Sequence, residues 1–250
     1  MATLPPLIPM PAPVYFLSDA HIGAVLVPDP QDQKVKLDRF FRIVEEKGKS
    51  LVIVGDLFDF WYEWAHVIPK NPFAVLCRLR GLAERGIEVH YLAGNHDFRL
   101  HGFLESEIGM RVHLNSLSAD IGGQSVFVFH GDGILQRDHG YRLVKRILRN
   151  RVTQRIFLWL HPDVSMALAR GTSVVSRTAT RKDPADDEEY LHYARGKFAE
   201  GYQAVVMGHS HRPVEHADGA RTYVNLGDWI TEYTFGVHDG VRLRLHRLEA

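Results

Sequence analysis

Five apolar runs of strand length end abruptly in polar residues, and this repeated pattern constrains the fold more than any other feature of the sequence. In chain order the runs read "PVYFLSDAH", "SLVIVGDLFDFW", "GIEVHYLAGNHD", "QSVFVFHGD" and "YQAVVMGHSH". The first three are apolar on both faces, which is typical of strands in a sheet that is covered on both sides. Helical patterns over residues 32–47 and 72–85 separate these three. The resulting βαβαβ order predicts a mainly parallel α/β core.

The second half of the chain predicts further strands and a helical insertion. The runs "HLNSLSADI" and "QSVFVFHGD", joined by two glycines, predict a β-hairpin. Residues 138–179 have a helical pattern in which arginines alternate with bulky apolar residues, and a helix over 187–200 follows. The last runs, "RTYVNLGDW", "YTFGVHDG" and "VRLRLHRLE", predict an antiparallel tail.

Charge and cysteine content exclude several classes of function. The formal net charge of the 250 residues is zero, so no global field attracts the protein to nucleic acid or to an anionic membrane. Cys77 is the single cysteine, which excludes an internal disulfide and a zinc site built from several thiolates. A reducing cytosol is therefore the expected compartment. The 15 histidines are the unusual feature of this composition.

The polar residues after the apolar runs are expected to meet. In an open parallel sheet the carboxyl ends of the strands lie along one edge, where ligands bind. Residues two apart on an extended segment point the same way, so the pairs Asp19/His21 and His209/His211 can each direct two side chains at one point. The side chains expected at this edge are those of Asp19, His21, Asp56, Asn95, His96, His130, His209 and His211.

Carboxylate, imidazole and amide groups in one place indicate a transition-metal site. This ligand set suits Mn²⁺, Fe²⁺, Zn²⁺ or Co²⁺ better than Ca²⁺. Two such ions about 3.5–4 Å apart can hold both the attacking and the leaving oxygen of a phosphoryl displacement. Asp56 is the natural carboxylate to bridge them. The alternative is structural: Asn95–Asp97 also fits a turn with a capping Asp, and an isolated histidine usually bonds a backbone partner.

The motifs "DAH", "GDLFD", "GNHD", "HGD" and "GHSH", in this order between Ser18 and His211, resemble the five-motif pattern of the calcineurin-like metallophosphoesterases. The order of five motifs, each at a strand end, outweighs the structural reading of the single histidines. The resemblance implies an α/β fold, a sandwich of two mixed β-sheets flanked by helices with an inserted helical lid. It also implies two divalent metal ions, with Mn²⁺ expected first.

The resemblance assigns a role to each motif residue. One metal ion is implied to bind Asp19, His21, Asp56 and His211. The other is implied to bind Asp56, Asn95, His130 and His209. Of the remaining residues, His96 is implied to stabilise or protonate the leaving oxygen, and Asp97 to orient His96.

The insertion between residues 136 and 185 narrows the resemblance to the UDP-2,3-diacylglucosamine hydrolases of lipid A synthesis. Four insertion residues match positions of that family's lid and are implied to bind substrate: Asp138, Tyr141, Ser176 and Arg177. The implied reaction is attack of water on the α-phosphorus, which yields UMP and 2,3-diacylglucosamine 1-phosphate. Two departures stand out. His96 occupies the position where the best-known members carry Arg, and "GDW" is a variant of their Gly-Ala-Trp segment.

Two other functions stay open at this point. One is a metallophosphoesterase that acts on another nucleotide-linked or simple phosphodiester substrate. The other is a scaffold that has lost its metals, although the full set of expected ligands argues against it. A nuclease would need a basic groove, whereas the basic residues here lie among bulky apolar ones, so no nucleic acid partner is expected.

The sequence also predicts domain organisation and location. Residues 1–13 read as an extended arm, residues 14–250 as a single domain, and residues 136–185 as a helical lid within it. No stretch is long and apolar enough to cross a bilayer. We therefore expect a cytoplasmic protein whose basic, apolar lid contacts the inner membrane peripherally, because arginines can meet anionic headgroups while apolar side chains cover acyl chains.

Overall fold

The computed structural model describes residues 4–25, 27–135, 150–167 and 184–249. The strands, in chain order, are β1 (Ile8–Pro9), β2 (Val14–Leu17), β3 (Ser50–Val54), β4 (Trp61–Tyr62), β5 (Glu88–Leu92), β6 (Asp97–Arg99), β7 (Arg111–His113), β8 (Ser116–Ile121), β9 (Gln124–Phe129), β10 (Ala204–Met207), β11 (Pro213–Asp218), β12 (Arg221–Leu226), β13 (Thr234–His238) and β14 (Leu243–Arg247). The helices are α1 (Pro30–Lys47), α2 (Phe73–Glu84), α3 (Phe103–Ser106), α4 (Arg151–Trp159), α5 (162–167) and α6 (Pro184–Glu200).

Two six-stranded mixed sheets pack face to face, with helices on their outer faces. One sheet has the order β1-β8-β9-β10-β12-β11 and the other β14-β13-β2-β3-β5-β7. Apolar residues of both sheets, such as Phe16, Val52, Val128 and Val206, form the layer between them. Helices α1 and α2 cover the second sheet, and α6 covers the first. The predicted sandwich of two mixed sheets flanked by helices is confirmed.

The predicted parallel core is also confirmed. Strand β3 pairs in parallel with β2 and with β5, and helices α1 and α2 are the crossovers between them. Helix α1 begins two residues before the predicted start because Asp29 caps it, accepting hydrogen bonds from the backbone N–H groups of Gln31 and Asp32. Pro30 fits the first helical turn, where its missing N–H has no cost. Capping of this kind stabilises a helix by about 1 kcal/mol.

The tail differs from the expectation of consecutive antiparallel strands. The β8–β9 hairpin forms as predicted, and β13 and β14 are antiparallel. Strand β12, however, lies in the other sheet, where it is parallel to β10 and antiparallel to β11. The chain thus crosses between sheets after Leu226, and this crossing brings the loop 227–233 next to the carboxyl end of β2, since the backbone N–H of Trp229 donates to the carbonyl of Asp19.

The structure describes parts of the predicted N-terminal arm and of the predicted helical insertion. Within the arm 1–13, Ile8–Pro9 adds an edge strand parallel to β8. The described part of the insertion contains α4 and α5, which are separated at residues 160–161, whereas a single helical stretch was expected. Helix α4 is held to the core because Tyr62 Oη donates to the carbonyl of Gln154 and Gln154 Nε2 donates to the carbonyl of Phe98. The rest of the predicted lid lies outside the described residues.

Among the helices that the structure describes, none combines the length and the apolar composition that a membrane span requires.

Candidate metal centre

The polar residues that follow β2, β3, β5, β9 and β10 lie together at one edge of the sandwich. The backbone N–H of His209, after β10 in one sheet, donates to Asp19 Oδ2, after β2 in the other. His130 Nε2 lies 3.4 Å from Asp56 Oδ2 and 2.9 Å from Asn95 Oδ1. Both sheets therefore contribute to one site, and all seven predicted metal ligands belong to it.

The ligand atoms form two groups of the size that a metal ion requires. Asp19, His21 and His211 make one group, and Asp56, His130 and His209 make another, with the ligand atoms of each within 4.8 Å of one another. Asp56 Oδ2 also lies 3.9 Å from His21 Nε2, so this carboxylate faces both groups. Each of these groups is part of one ligand set expected from the motifs, and a third group of possible ligands joins His21 and His96 to Asp59.

The backbone at the site is strained. Six non-glycine residues of the described chain have positive φ, and five of them are predicted ligands, namely Asp19, His21, Asp56, His209 and His211. Non-glycine residues adopt this left-handed region at a cost, which folded proteins tend to accept at functional sites. Asp19 and His21 belong to one ligand group, as their spacing predicted, but His209 and His211 belong to different groups. All four residues have left-handed backbone and not the extended backbone that the prediction assumed.

Glycines allow the loops to approach each other. A Cβ on Gly94 would lie 2.2 Å from Asp56 Oδ1, and a Cβ on Gly208 would lie 2.0 Å from Ser18 Oγ. Since neither distance can exist between real atoms, these positions require glycine for the present geometry. The glycines of "GNHD" and "GHSH" thus let the loops carrying Asn95 and His209 pack against those carrying Asp56 and Asp19.

Charge at the site is balanced between carboxylates and imidazoles. Burial would raise the pKa of Asp56, but the coulombic attraction of His130 and His96 lowers it far below its usual range. Burial would lower the pKa of His130, yet Asp56 raises it to about 10, and Asp19 likewise raises the pKa of His211 to about 9. The two carboxylates therefore stabilise positive charge on the neighbouring imidazoles. A divalent cation bound at the same place would be stabilised by the same negative charges.

The donor set fits divalent metal ions. Asp19 Oδ1 is buried and accepts no hydrogen bond from the residues that the structure describes, although it lies 3.3 Å from His211 Nε2 and 3.6 Å from His21 Nε2. A buried carboxylate oxygen without a donor is costly unless a cation binds it. Oxygen and imidazole ligands in this proportion suit Mn²⁺, Fe²⁺, Zn²⁺ or Co²⁺.

His96 faces the site with one ring nitrogen and the core with the other. Its Nδ1 lies 2.6 Å from the carbonyl oxygen of Asp59, which can only accept, so Nδ1 carries a proton and donates it. Its Nε2 is left to face the centre, 3.9 Å from Asp56 Oδ2. The backbone N–H of His96 also donates to Asp56 Oδ1. The ring is thus fixed beside both ligand groups.

The expected partner of His96 was Asp97, but the structure gives that place to Asp59. Asp97 accepts hydrogen bonds from Tyr91 Oη at 2.7 Å and from the backbone N–H groups of Gly94 and Asp56. Asp97 therefore ties the loop after β5 to the loop after β3, since its carboxylate bridges their backbones. Burial and the neighbouring Asp56 charge raise its pKa to about 6.

Three supporting residues were not found from the sequence. Asp59 holds His96, Ser18 Oγ lies within hydrogen-bonding distance of the Val54 carbonyl and of Asp19 Oδ2 and shares its one proton between them, and Asn225 Nδ2 donates to the carbonyl of Gly208. Ser18 and Asp59 lie inside the quoted motifs, where a pattern of polar residues could have drawn attention to them. Asn225 lies on β12, outside every motif, and only the crossing of β12 beside β10 brings it to the site.

The predicted substrate-binding residues Asp138, Tyr141, Ser176 and Arg177 lie outside the described residues. A cavity of about 700 Å³ adjoins the centre at Asp97. It lies between α4 and the core, and its lining includes Asp97, Phe98, Arg99, Leu114, Arg155 and Leu158. Apolar, polar and charged side chains all contribute to this lining, and two of the charged ones are arginines.

Comparison with known proteins decides the family. The model of the family described as calcineurin-like phosphoesterase matches residues 12–213, which include both ligand groups. The chain belongs to this family. Membership and the paired Asp/His groups identify it as a metal-dependent hydrolase with divalent metal binding.

Curated relatives match nearly the whole chain. A protein of Porphyromonas gingivalis named UDP-2,3-diacylglucosamine hydrolase is 30% identical over 260 residues, which cover 96% of this chain and 99% of that protein. Proteins of the same name from Neisseria meningitidis serogroup B and Aeromonas salmonicida are each 30% identical. They match 88% and 87% of this chain and 91% and 86% of their own lengths. The predicted resemblance is confirmed.

Proposed function

We propose that this family member hydrolyses the pyrophosphate of UDP-2,3-diacylglucosamine to UMP and 2,3-diacylglucosamine 1-phosphate, as a step of lipid A biosynthesis. The observation that carries the proposal is the match to relatives of that name over 96% of this chain, with the seven expected ligands gathered at one edge of the fold. A scaffold without metals is disfavoured, since backbone strain at so many expected ligands is typical of a site that uses them.

Each residue of the centre would have one of two roles, metal binding or contact with the leaving oxygen. Asp19, His21, Asp56 and His211 would hold one ion, and Asp56, Asn95, His130 and His209 the other. Mn²⁺ is our first choice, with Fe²⁺, Zn²⁺ or Co²⁺ as alternatives. Bound ions supply Lewis-acid stabilisation of the phosphoryl oxygens and lower the pKa of water. His96, held at Nδ1 by the Asp59 carbonyl, would face the leaving oxygen of the α-phosphoryl group with its Nε2.

The cavity beside Asp97 would hold part of the substrate next to the scissile bond. Its volume of about 700 Å³ exceeds what a single sugar or nucleoside needs, and its arginines, Arg99 and Arg155, can meet phosphate oxygens. We assign Asp138, Tyr141, Ser176 and Arg177 to substrate binding from the lid 136–185. Residues 14–250, with that lid, would act as one catalytic domain, and residues 1–13 as an arm that adds to one sheet.

The first test is hydrolysis of UDP-2,3-diacylglucosamine with added Mn²⁺, followed as UMP release, beside a simple aryl phosphodiester. We expect Mn²⁺-dependent UMP release with a kcat/KM well above that for the aryl ester, because only the lipid substrate can use the cavity and lid. Hydrolysis of the aryl ester without any UMP would instead support the second candidate. That candidate is a metallophosphoesterase for another nucleotide-linked or simple phosphodiester, and His96 in the position of the family's Arg favours it.

We further propose that the cytoplasmic enzyme meets the membrane through its insertion, peripherally and without a span. Trp159 is 91% exposed at the end of α4, and Val164 is 49% exposed on α5. Exposed tryptophan beside basic residues is typical of interfacial contact. We expect Trp159→Ser to reduce co-sedimentation with vesicles of phosphatidylglycerol and phosphatidylethanolamine several-fold. Val241→Ser, which alters a 74% exposed residue of the β13–β14 turn, is the matched control. Equal co-sedimentation of both variants would contradict this contact.

A further inference from the structure

The ring of His211 lies between two carboxylates. Its Nε2 is 3.3 Å from Asp19 Oδ1, inside the first ligand group, and its Nδ1 is 3.4 Å from Asp228 Oδ2. Asp228 belongs to the loop after β12 and to none of the motifs that predicted the site. It stands in the "GDW" variant of the segment that reads Gly-Ala-Trp in the resembled family. Its contact with a predicted ligand therefore needs a physical explanation.

The carboxylate of Asp228 cannot swing away from His211. Its Oδ1 accepts hydrogen bonds from the backbone N–H groups of Ile230, Thr231 and Glu232, at 3.0, 2.8 and 3.1 Å. The side chain is 4% exposed. Since three backbone donors fix Oδ1, Oδ2 is left facing the imidazole, with the Thr231 hydroxyl 3.4 Å away as its other neighbour.

The loop that carries Asp228 is fastened to the loop that carries the first ligands. The backbone N–H of Trp229 donates to the carbonyl of Asp19 at 3.1 Å. Gln33 Nε2 bridges the same two loops, donating to the carbonyls of Ala20 and Trp229 at 2.7 and 2.8 Å. Asp228 is thus fixed relative to Asp19 and His21, and so is any group that it orients.

His211 needs such an orienting group more than its neighbours do. Its side chain is 20% exposed, whereas those of His21 and His130 are 1% and 0% exposed. Packing therefore restrains its ring less. His130 has a comparable partner, because its Nδ1 lies 2.8 Å from the carbonyl oxygen of Val54. A carboxylate performs the same task with a full negative charge, which makes the opposite ring nitrogen a stronger ligand.

We propose that Asp228 is a positioning residue: it accepts the Nδ1 proton of His211 and thereby presents the Nε2 lone pair to the metal ion held with Asp19 and His21. This role rests on the metal centre of the proposed function. Asp228 acts through His211 and touches neither substrate nor metal. Because the contact sets the tautomer of one ligand, its loss affects one of the two metal positions and leaves the other intact.

The test is calorimetric titration of metal-free protein with Mn²⁺, which needs no substrate. Asp228→Asn is the decisive variant, since its amide oxygen can still accept from the backbone of 230–232 while its NH₂ faces His211. An NH₂ group there requires Nδ1 to accept, which moves the ring proton to Nε2 and blocks metal binding. We expect the affinity for one of two Mn²⁺ ions to fall about 10- to 100-fold and the other to change little.

The matched control is Asp239→Asn. Asp239 Oδ1 also accepts from two backbone N–H groups in a turn, those of Val241 and Arg242, both at 2.8 Å, but it lies in the exposed β13–β14 connection. It should keep both affinities. Unchanged affinities in Asp228→Asn, with two ions bound by the wild type, would overturn the positioning role alone. An equal loss in both variants would also overturn it, because turn capping would then explain the effect. A wild type that binds no Mn²⁺ would overturn the metal centre itself.

Discussion

Replacement of Asp56 by Ala should reduce the hydrolysis of any phosphoester substrate by roughly 10⁴-fold or more, which corresponds to about 5.5 kcal/mol of transition-state stabilisation. Asp56 Oδ2 is the atom that faces both ligand groups, 3.4 Å from His130 Nε2 and 3.9 Å from His21 Nε2. Removing this carboxylate weakens both metal positions at once, whereas removing a ligand that belongs to one group weakens only that position. Steady-state kinetics with saturating Mn²⁺, together with the metal content of the purified protein, provide the measurement.

One further variant separates the charge of Asp56 from its shape, and another serves as a control. Asp56→Asn can still accept the hydrogen bond from the backbone N–H of His96, which Oδ1 accepts at 2.8 Å in the wild type, but it lacks the negative charge. We expect it to lose activity nearly as fully, because the charge attracts the ions. Asp163→Ala, at a 93% exposed carboxylate, should behave as wild type. If Asp56→Ala kept two ions per chain and near-wild-type turnover, the paired-metal centre would be wrong.

The sequence predicted this centre well because its ligands follow strands whose pattern is local. Apolar runs before Asp19, Asp56 and Asn95 identify buried parallel strands, and the geometry of a parallel sheet brings their carboxyl ends to one edge. The Asp-x-His spacing also predicted that Asp19 and His21 lie in one ligand group, whereas the His-x-His spacing was misleading, because His209 and His211 lie in different groups. Each of these steps uses residues within about ten positions of each other, a range over which periodicity is informative.

The features that sequence reasoning missed depend on contacts between distant segments. β12 was expected beside the last strands but lies next to β10, because a strand's own residues indicate burial and not which strand becomes its neighbour. That crossing brings Asn225 and Asp228 to the centre. Likewise, the partner of His96 is a backbone carbonyl 37 residues away, that of Asp59, which no side-chain pattern reveals. Asp97 was the nearer candidate and has a different task.

Replacement of His96 by Ala should lower kcat by about 10²- to 10⁴-fold and leave Mn²⁺ affinity close to that of the wild type. His96 is 12% exposed, its Nδ1 donates to Asp59, and its Nε2 faces the ligand groups from outside both predicted metal ligand sets. The ring can therefore interact with the leaving oxygen while the ions remain bound. Kinetics under saturating Mn²⁺, with calorimetry on the same preparation, distinguish loss of chemistry from loss of metal.

His96→Arg tests how far a positive charge replaces the imidazole. Arginine provides a permanent cation with several donors, so we expect it to recover part of the activity that Ala loses, mainly as a higher kcat. Full recovery would indicate that the position stabilises charge, whereas activity no better than that of Ala would indicate that the imidazolium form must transfer its Nε2 proton to the leaving oxygen. His192→Ala, at an exposed position on α6, controls for the loss of a histidine. Loss of Mn²⁺ in His96→Ala would contradict the division of roles, because His96 would then be a ligand and the centre would extend toward Asp59, which lies with His21 and His96 in a third group of possible ligands.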